Sequence, residues 1–158
     1  MTFKHILVPY DKSETARKAL KEAVEIARVD QETKIDVINI SPLPELELPS
    51  SYSSSLYGGD PTLINVDEVI KHRNDRIDEE RREIYDSTKD EFADIEDRVT
   101  VTIVPGISPI DDIVEFCDDN GCDLIIMGSR GLGAIRGMLG SVSYGVLRSS
   151  KVPVMIMK

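Results

Sequence analysis

The chain has 158 residues, a length that fits one domain, and its 41% hydrophobic and 30% charged residues are the balance of an ordinary globular protein. No apolar run approaches the ~20 residues of a membrane helix, and the first residues lead into a strand pattern instead of a secretion signal, so we expect a cytoplasmic protein that does not bind membranes. The net charge of −10 argues against nucleic acid and anionic membranes as partners.

The charge is unevenly distributed along the chain. Residues 124–158 contain no Asp or Glu and five basic residues, so this segment carries +5 while residues 1–123 carry −15. A locally positive segment in an acidic protein favours a small anionic ligand. A chance excess of acidic residues in the preceding helices would produce the same asymmetry, so the charge alone leaves both interpretations open.

Cys117 and Cys122 are the only cysteines, and they are five residues apart. Two cysteines form neither a disulfide framework nor a four-ligand zinc site, so we expect two reduced, partly buried thiols. No group of His, Cys and Asp has the spacing of metal ligands along the chain, and no metal-ligating residue is predicted.

The N-terminal part alternates apolar strands with an amphipathic helix. Strands are predicted near residues 4–9 and 34–40, and the helix between them starts at the capping segment Asp11–Glu14. The apolar positions of this helix recur at spacings of three and four residues: Ala16, Ala19, Leu20, Ala23, Val24 and Ala27.

Residues 41–66 interrupt the alternation with prolines, a serine cluster and paired glycines. A loop of this length within a compact domain is either a functional flap or locally disordered, and both interpretations predict a flexible segment.

The second half returns to regular patterns. A long helix is predicted over 67–96, with a thin stripe formed by Ile70, Ile77 and Ile84 that favours a solvated surface helix over a partner-binding one. Strands are predicted near 98–104, 122–127 and 152–157, with a helix from Ser108-Pro109 to Gly121 and a short helix over 141–148. Together these elements predict an α/β domain spanning 1–158, with an open five-stranded parallel sheet and helices on both faces.

The glycine-rich stretch at 127–143 carries the strongest functional signal. It leaves the carboxyl end of a buried strand, where open parallel sheets bind ligands, and enters a helix whose first amides and serine hydroxyls can hold an anion. Arg130 and Arg136 add positive charge. The stretch has no Gly-Lys pair for a P-loop, and Arg136 occupies the third glycine position of the dinucleotide fingerprint. On spacing alone, a connecting loop without a ligand is an equal alternative.

Three segments resemble the universal stress proteins. HILVPYDKSETARKAL at 5–20 is similar to the start of that family, MGSRGLGAIRGMLGSVSYGVLRSSKVPVMIMK at 127–158 to its end, and the Ile103–Gly106 segment before the Ser-Pro helix start to its middle. The resemblance covers the chain apart from 41–97. It implies a Rossmann-like fold of the adenine nucleotide alpha hydrolase type and a regulatory, ATP-binding function in the stress response.

The ATP-binding branch of that family carries G-x2-G-x9-G-[ST], whereas here only eight residues separate Gly131 from Gly140. The resemblance therefore implies ATP, with AMP as the alternative because a shorter loop favours fewer phosphates, and Mg²⁺ or Mn²⁺ carried on the phosphates. Asp11 would face the ribose or the metal, although a helix cap is an equally plausible role for it. The residues that the resemblance places around the nucleotide are Pro9, Tyr10, Asp11, Ile40, Met127, Gly128, Ser129, Arg130, Gly131, Gly140, Ser141, Val142 and Ser143.

No catalytic residue is predicted, because neither His5 nor His72, the only histidines, belongs to a readable nucleophile–base pair. A slow metal-dependent ATP hydrolase using Asp11 and a dimeric protein without nucleotide are the alternatives to a nucleotide-binding regulator. The resemblance also implies a homodimer through the apolar C-terminal strand 152–157. Coverage of that strand by helices of its own chain is the competing interpretation.

Overall fold

The computed structural model describes residues 2–42, 66–131 and 139–158. Almost all of the loop predicted to be flexible, and the middle of the glycine-rich stretch with Arg136, lie outside these described residues.

Five strands form one parallel sheet, as the alternating pattern predicts. They are β1 (His5–Pro9), β2 (Lys34–Pro42), β3 (Val99–Gly106), β4 (Leu124–Gly128) and β5 (Val154–Met157). The sheet order is β3-β2-β1-β4-β5, and every neighbouring pair is parallel. The predicted open α/β sheet is therefore confirmed.

Helices cover both faces of the sheet. They are α1 (Glu14–Val29), α2 (Val66–Phe92), α3 (Pro109–Asn120) and α4 (Ser141–Ser149). The apolar sides of α1 and α2 pack on one face, and those of α3 and α4 pack on the other. The strands bury side chains on both faces, so β1 after His5 and the whole of β4 are apolar. No helix in the described parts of the chain has both the length and the apolar character needed to cross a membrane.

The start of α1 corrects one prediction. Ser13, not Asp11, is the N-cap, and its hydroxyl accepts a hydrogen bond from the Ala16 amide at 3.2 Å. The Asp11 carboxylate instead accepts from the Ser13 amide at 3.0 Å, two residues before the observed cap. The polar run Asp11–Glu14 offers two oxygen acceptors, and the sequence does not distinguish which of them enters the cap geometry.

The helix α2 is long, but it ends at Phe92 and continues as a 3₁₀ segment, Ala93–Arg98, so the prediction of one helix to residue 96 is wrong at its end. Its apolar stripe is buried only toward the C-terminus: Ile84 is 1% exposed, whereas Ile70 is 51% exposed. At the start of α3, Ser108 occupies the predicted cap position, but its hydroxyl donates to the Asp111 carboxylate at 2.6 Å instead of capping an amide.

The strand order defines where a ligand can enter. The chain adds β2 and β3 on one side of β1, and then β4 and β5 on the other. Connections leave β1 and β4 in opposite directions, which opens a crevice between their carboxyl ends.

Candidate functional site

A cavity of about 420 Å³ opens at the carboxyl ends of β1 and β4. Its lining combines apolar side chains from β2 and α3 with the polar segments that follow β1 and β4, which is the usual composition of a small-molecule site. The lining residues are Pro9, Tyr10, Asp11, Ala16, Ile38, Asn39, Ile40, Pro109, Ile113, Met127, Gly128, Arg130, Gly131, Gly140, Ser141, Val142 and Ser143.

A strained turn positions Asp11 on one wall. Lys12 has φ +67°, in the left-handed region that a residue with a Cβ rarely adopts. The turn is held by the Asp11 carboxylate, which accepts from the Ser13 amide, and by an ion pair between Lys12 and Glu83 of α2 at 2.9 Å. Strain held in place by surrounding contacts is a common property of functional sites.

The segment after β4 passes very close to the start of α1. A Cβ on Gly128 would lie 2.5 Å from the Thr15 hydroxyl and 2.9 Å from the Ala16 amide nitrogen, so only glycine fits there. The Thr15 hydroxyl donates to the Arg130 carbonyl oxygen at 2.6 Å, which ties the glycine-rich segment to α1. Among the described residues, a Cβ on Gly131 would meet only the Asp11 carboxylate, at 2.5 Å. Gly128 therefore permits the packing, whereas Gly131 keeps the space in front of Asp11 open.

The first turn of α4 also lines the cavity. Gly140 is the N-cap, and no side chain of the described residues caps this helix, so the amides of Ser141 and Val142 have no partner within the helix and lie at the cavity lining. The Ser143 hydroxyl donates toward the carbonyl oxygens of Ser129 at 2.9 Å and Gly140 at 3.0 Å. That hydroxyl therefore fixes the geometry of the turn. The unpaired amides supply the donors for an anion.

The charges around the cavity complement a metal-bound or phosphorylated ligand. Within the described parts of the chain, Arg130 makes no ion pair, and its residue lines the cavity. Asp11 adds a carboxylate to the same lining. A site with a free guanidinium, unpaired amides and one carboxylate can hold anionic oxygens and a divalent cation carried with them.

The structure brings together all the predicted nucleotide-site residues except one. Ser129 is 4% exposed and does not line the cavity, and its hydroxyl has no hydrogen-bond partner among the described residues. Sequence reasoning missed Asn39, whose amide donates to the Tyr10 carbonyl at 2.8 Å, and the apolar residues Ala16, Ile38, Pro109 and Ile113. The one signal for Pro109 and Ile113 is their place in the first turns of a helix that starts at the carboxyl edge of the sheet.

The family model described as the universal stress protein family matches residues 2–158. The chain belongs to the universal stress protein family. It is 34% identical to the universal stress protein MJ0577 of Methanocaldococcus jannaschii over 158 residues, which cover 99% of this chain and 95% of the relative. The solved structure of MJ0577 superposes with a TM-score of 0.73 at 29% identity, covering 100% of this chain and 97% of that one.

Two further universal stress proteins share the fold at lower identity. One was solved in complex with cAMP, with a TM-score of 0.59, 24% identity and coverage of 100% of this chain and 98% of that chain. The other, from Archaeoglobus fulgidus, was solved in complex with dAMP, with a TM-score of 0.58, 23% identity and full coverage of both chains. At these identities the likeness establishes the common fold.

Proposed function

We propose that this universal stress protein binds ATP in the cavity between β1 and β4 and acts as a cytoplasmic regulatory protein in the stress response. The observation that carries the proposal is the geometry of the site. An uncapped helix start, a glycine-formed backbone surface and a carboxylate line one cavity at the switch point of a parallel sheet.

Each part of the nucleotide has a matching surface. The phosphates fit the amides of Ser141 and Val142 with Arg130 beside them, and Asp11 fits the ribose hydroxyls or a divalent metal on the phosphates. The apolar side formed by Ile40, with Pro9 and Tyr10 at its border, fits the nucleoside. Among relatives of the same fold, complexes with cAMP and dAMP make adenine nucleotides the first ligands to test.

The shorter loop and the glycine anchors bear differently on the number of phosphates that the site can hold. Only eight residues separate Gly131 from Gly140, so the loop has less backbone with which to surround a triphosphate. We rank ATP first because both glycine anchors are present, and AMP second. Parallel titrations with ATP and AMP, each with and without Mg²⁺, decide the order.

A direct test is to denature freshly purified protein by heat, remove the precipitate and identify the nucleotide in the supernatant by chromatography. We expect an adenine nucleotide in a stoichiometric amount. Protein that releases none, and that binds none after dialysis, would contradict the proposal.

The metal dependence is tested with Asp11→Asn. The asparagine oxygen can still accept from the Ser13 amide, so the turn and the stability should be preserved while the negative charge is lost. We expect Mg²⁺ to strengthen ATP binding to the wild type and to have little effect on the variant. An equal Mg²⁺ effect in both proteins would remove Asp11 from the metal site.

A weak hydrolase is the second candidate, because the Asp11 carboxylate lines the cavity where a metal-bound phosphate would lie. Steady-state release of inorganic phosphate from ATP separates the two functions. Turnover that disappears in Asp11→Asn would favour the hydrolase, whereas binding without turnover favours the regulator.

The proposed assembly is a homodimer through β5. This strand is at the edge of the sheet, and all four of its apolar residues are only partly buried. Two large apolar side chains of the adjoining helix α4 are also exposed, Tyr144 at 60% and Leu147 at 46%. An apolar edge strand beside exposed apolar side chains favours pairing with a second copy across a two-fold axis.

A further inference from the structure

A second group of chemically reactive side chains lies at the end of the sheet opposite the cavity. His5 is the first residue of β1, Asp36 is near the start of β2, and Cys122 is in the turn between α3 and β4. Because the strands are parallel, these three positions meet at the amino edge of the sheet. They come from three distant segments, so their spacing along the chain gave no indication of a cluster.

The geometry of the group is close to that of a metal site. The ligand atoms of the three side chains all lie within 4.8 Å of one another, and His5 Nε2 is 2.7 Å from Asp36 Oδ2. Bond lengths of ~2.0–2.3 Å around a tetrahedral zinc ion place its ligand atoms roughly 3.3–3.8 Å apart. The His5–Asp36 pair is closer than this, so its hydrogen bond has to open for an ion to bind both side chains.

The donor set selects a class of metal. An imidazole nitrogen, a carboxylate oxygen and a thiolate sulfur suit zinc and similar transition metals, whereas magnesium and calcium prefer oxygen ligands alone. The carboxylate and the thiolate together carry two negative charges, which balance a divalent ion, so the complex avoids an uncompensated charge at a partly buried position.

The group is accessible, yet it is protected from bulk water. The side chains of His5 and Asp36 are 23% and 15% exposed, which gives an ion a path of entry, while Cys122 is 5% exposed. Burial, with a contribution from the nearby Asp36 carboxylate, raises the pKa of Cys122 to about 12. Without a metal the thiol is therefore protonated and unreactive, and an incoming ion has to displace its proton.

We propose that His5, Asp36 and Cys122 form a binding site for a zinc-type divalent transition-metal ion, with the fourth coordination position open to water. The bound ion joins β1, β2 and the turn before β4, and so it stabilises the amino edge of the sheet. The site is independent of the nucleotide cavity, which lies at the carboxyl edge.

Cobalt(II) is the probe, because a cobalt–thiolate bond gives a charge-transfer band in the near ultraviolet. The full chain is stripped with chelator, freed of nucleotide, kept reduced with a phosphine and titrated with Co²⁺ at neutral pH. We expect a saturable thiolate band at one equivalent, its loss when Zn²⁺ is added, and a higher unfolding temperature in the presence of Zn²⁺.

The chain supplies a matched control for each of two ligands. Cys122→Ser should abolish the band, whereas Cys117→Ser should leave it present, because this second buried cysteine contacts Cys122, with its thiol donating to the Cys122 carbonyl at 3.8 Å, but lies outside the ligand group. His5→Gln should weaken Co²⁺ binding at least tenfold, whereas His72→Gln, at the exposed second histidine, should not change it.

Asp36→Asn keeps the hydrogen bond to His5 but removes a negative charge, so it too should weaken the binding at least tenfold. If Cys122→Ser does not fold, His5→Gln and Asp36→Asn decide the assignment. A wild type without a thiolate band or Zn²⁺-dependent stabilisation would overturn the proposal and leave a hydrogen-bonded His–Asp pair. A band that survives Cys122→Ser or is lost with Cys117→Ser would overturn the ligand assignment.

Discussion

At the scale of single residues, the cavity depends on two positions where a side chain is absent. Gly128 and Gly131 both allow backbone to pass close to another segment, but they face different neighbours. A Cβ at 128 would collide with backbone atoms of α1, whereas one at 131 would meet the Asp11 carboxylate. The two glycines of one motif are therefore expected to have separable roles, one in packing and one in ligand access.

We expect Gly131→Val to lower ATP affinity at least tenfold, because the valine displaces the Asp11 carboxylate and fills the cavity mouth, and to cost less stability than Gly128→Val. Gly128→Val should instead lower the free energy of unfolding by about 1–3 kcal/mol through overpacking. Calorimetry of ATP binding and urea unfolding of both variants check this. Equal losses of stability would mean that the two positions are not separable.

The site residues that could be predicted from the sequence belong to short contiguous segments. The glycine-rich segment and Asp11 could be assigned because each adjoins a strand end and because their pattern resembles a family motif. Pro109, Ile113 and Asn39 could not, because an apolar or amide residue next to a cavity has the same pattern as one in a core. The His5–Asp36–Cys122 group forms because three distant segments meet at the amino edge of the sheet. The spacing of these residues along the chain does not indicate that they meet.

At the scale of elements, α2 contains both a buried and a solvated part. Its isoleucine stripe is uniform in the sequence, but the packing of the domain buries only one part of it. Ile84 is 1% exposed, whereas Ile70 is 51% exposed. Ile84→Ala should therefore lower the free energy of unfolding by about 2–4 kcal/mol, because it leaves a cavity against α1 and the sheet. Ile70→Ala is the control on the same helix.

The expected effect of Ile70→Ala is within about 0.5 kcal/mol of zero. Urea unfolding monitored by circular dichroism compares the two variants. Similar losses for both would show that the N-terminal half of α2 packs against something in solution.

A second element-level contact links α1 to the 3₁₀ segment. The Arg28 guanidinium donates two hydrogen bonds to the Asp94 carboxylate, at 2.9 and 2.7 Å, and these lower the pKa of Asp94 from 3.8 to about 2. The folded state thus favours the ionised carboxylate. Its contribution to stability is fully present above pH 3.8 and is lost as the pH falls toward 2.

We expect Asp94→Asn to unfold at slightly lower urea than the wild type at neutral pH, with the difference shrinking as the pH falls from about 4 to about 2. The effect is small because both side chains are exposed, and it should shrink further at high salt. Urea midpoints across this pH range provide the measurement. A difference that grows on acidification would contradict the assigned direction.

At the scale of the whole molecule, the alternation of strands and helices predicted a parallel α/β sheet, and the structure confirms it. The pattern predicts the strands, but it does not determine that β4 returns to the far side of β1. That placement depends on long-range pairing, such as Ile6 with both Ile35 and Leu124. The same reversal of strand order creates the cavity, so the local pattern alone could not show that the segments after β1 and β4 lie side by side there.

The proposed dimer is tested at this scale. Leu147→Lys places a charge on the exposed α4 surface beside β5, and Val29→Lys does the same at an equally apolar, 89% exposed position on α1. Light scattering should give twice the 17.6 kDa protomer mass for the wild type and for Val29→Lys, and a lower mass for Leu147→Lys. A wild-type mass of one protomer at high concentration would rule out the dimer.

Titration calorimetry of dialysed wild-type protein with ATP and Mg²⁺ tests the central claim most directly. The cavity at the carboxyl ends of β1 and β4 predicts a saturable heat at one nucleotide per chain. It also predicts competition by AMP and a much weaker response in Gly131→Val. No heat with millimolar ATP, and no competition between adenine nucleotides, would contradict the assignment of this cavity as a nucleotide site.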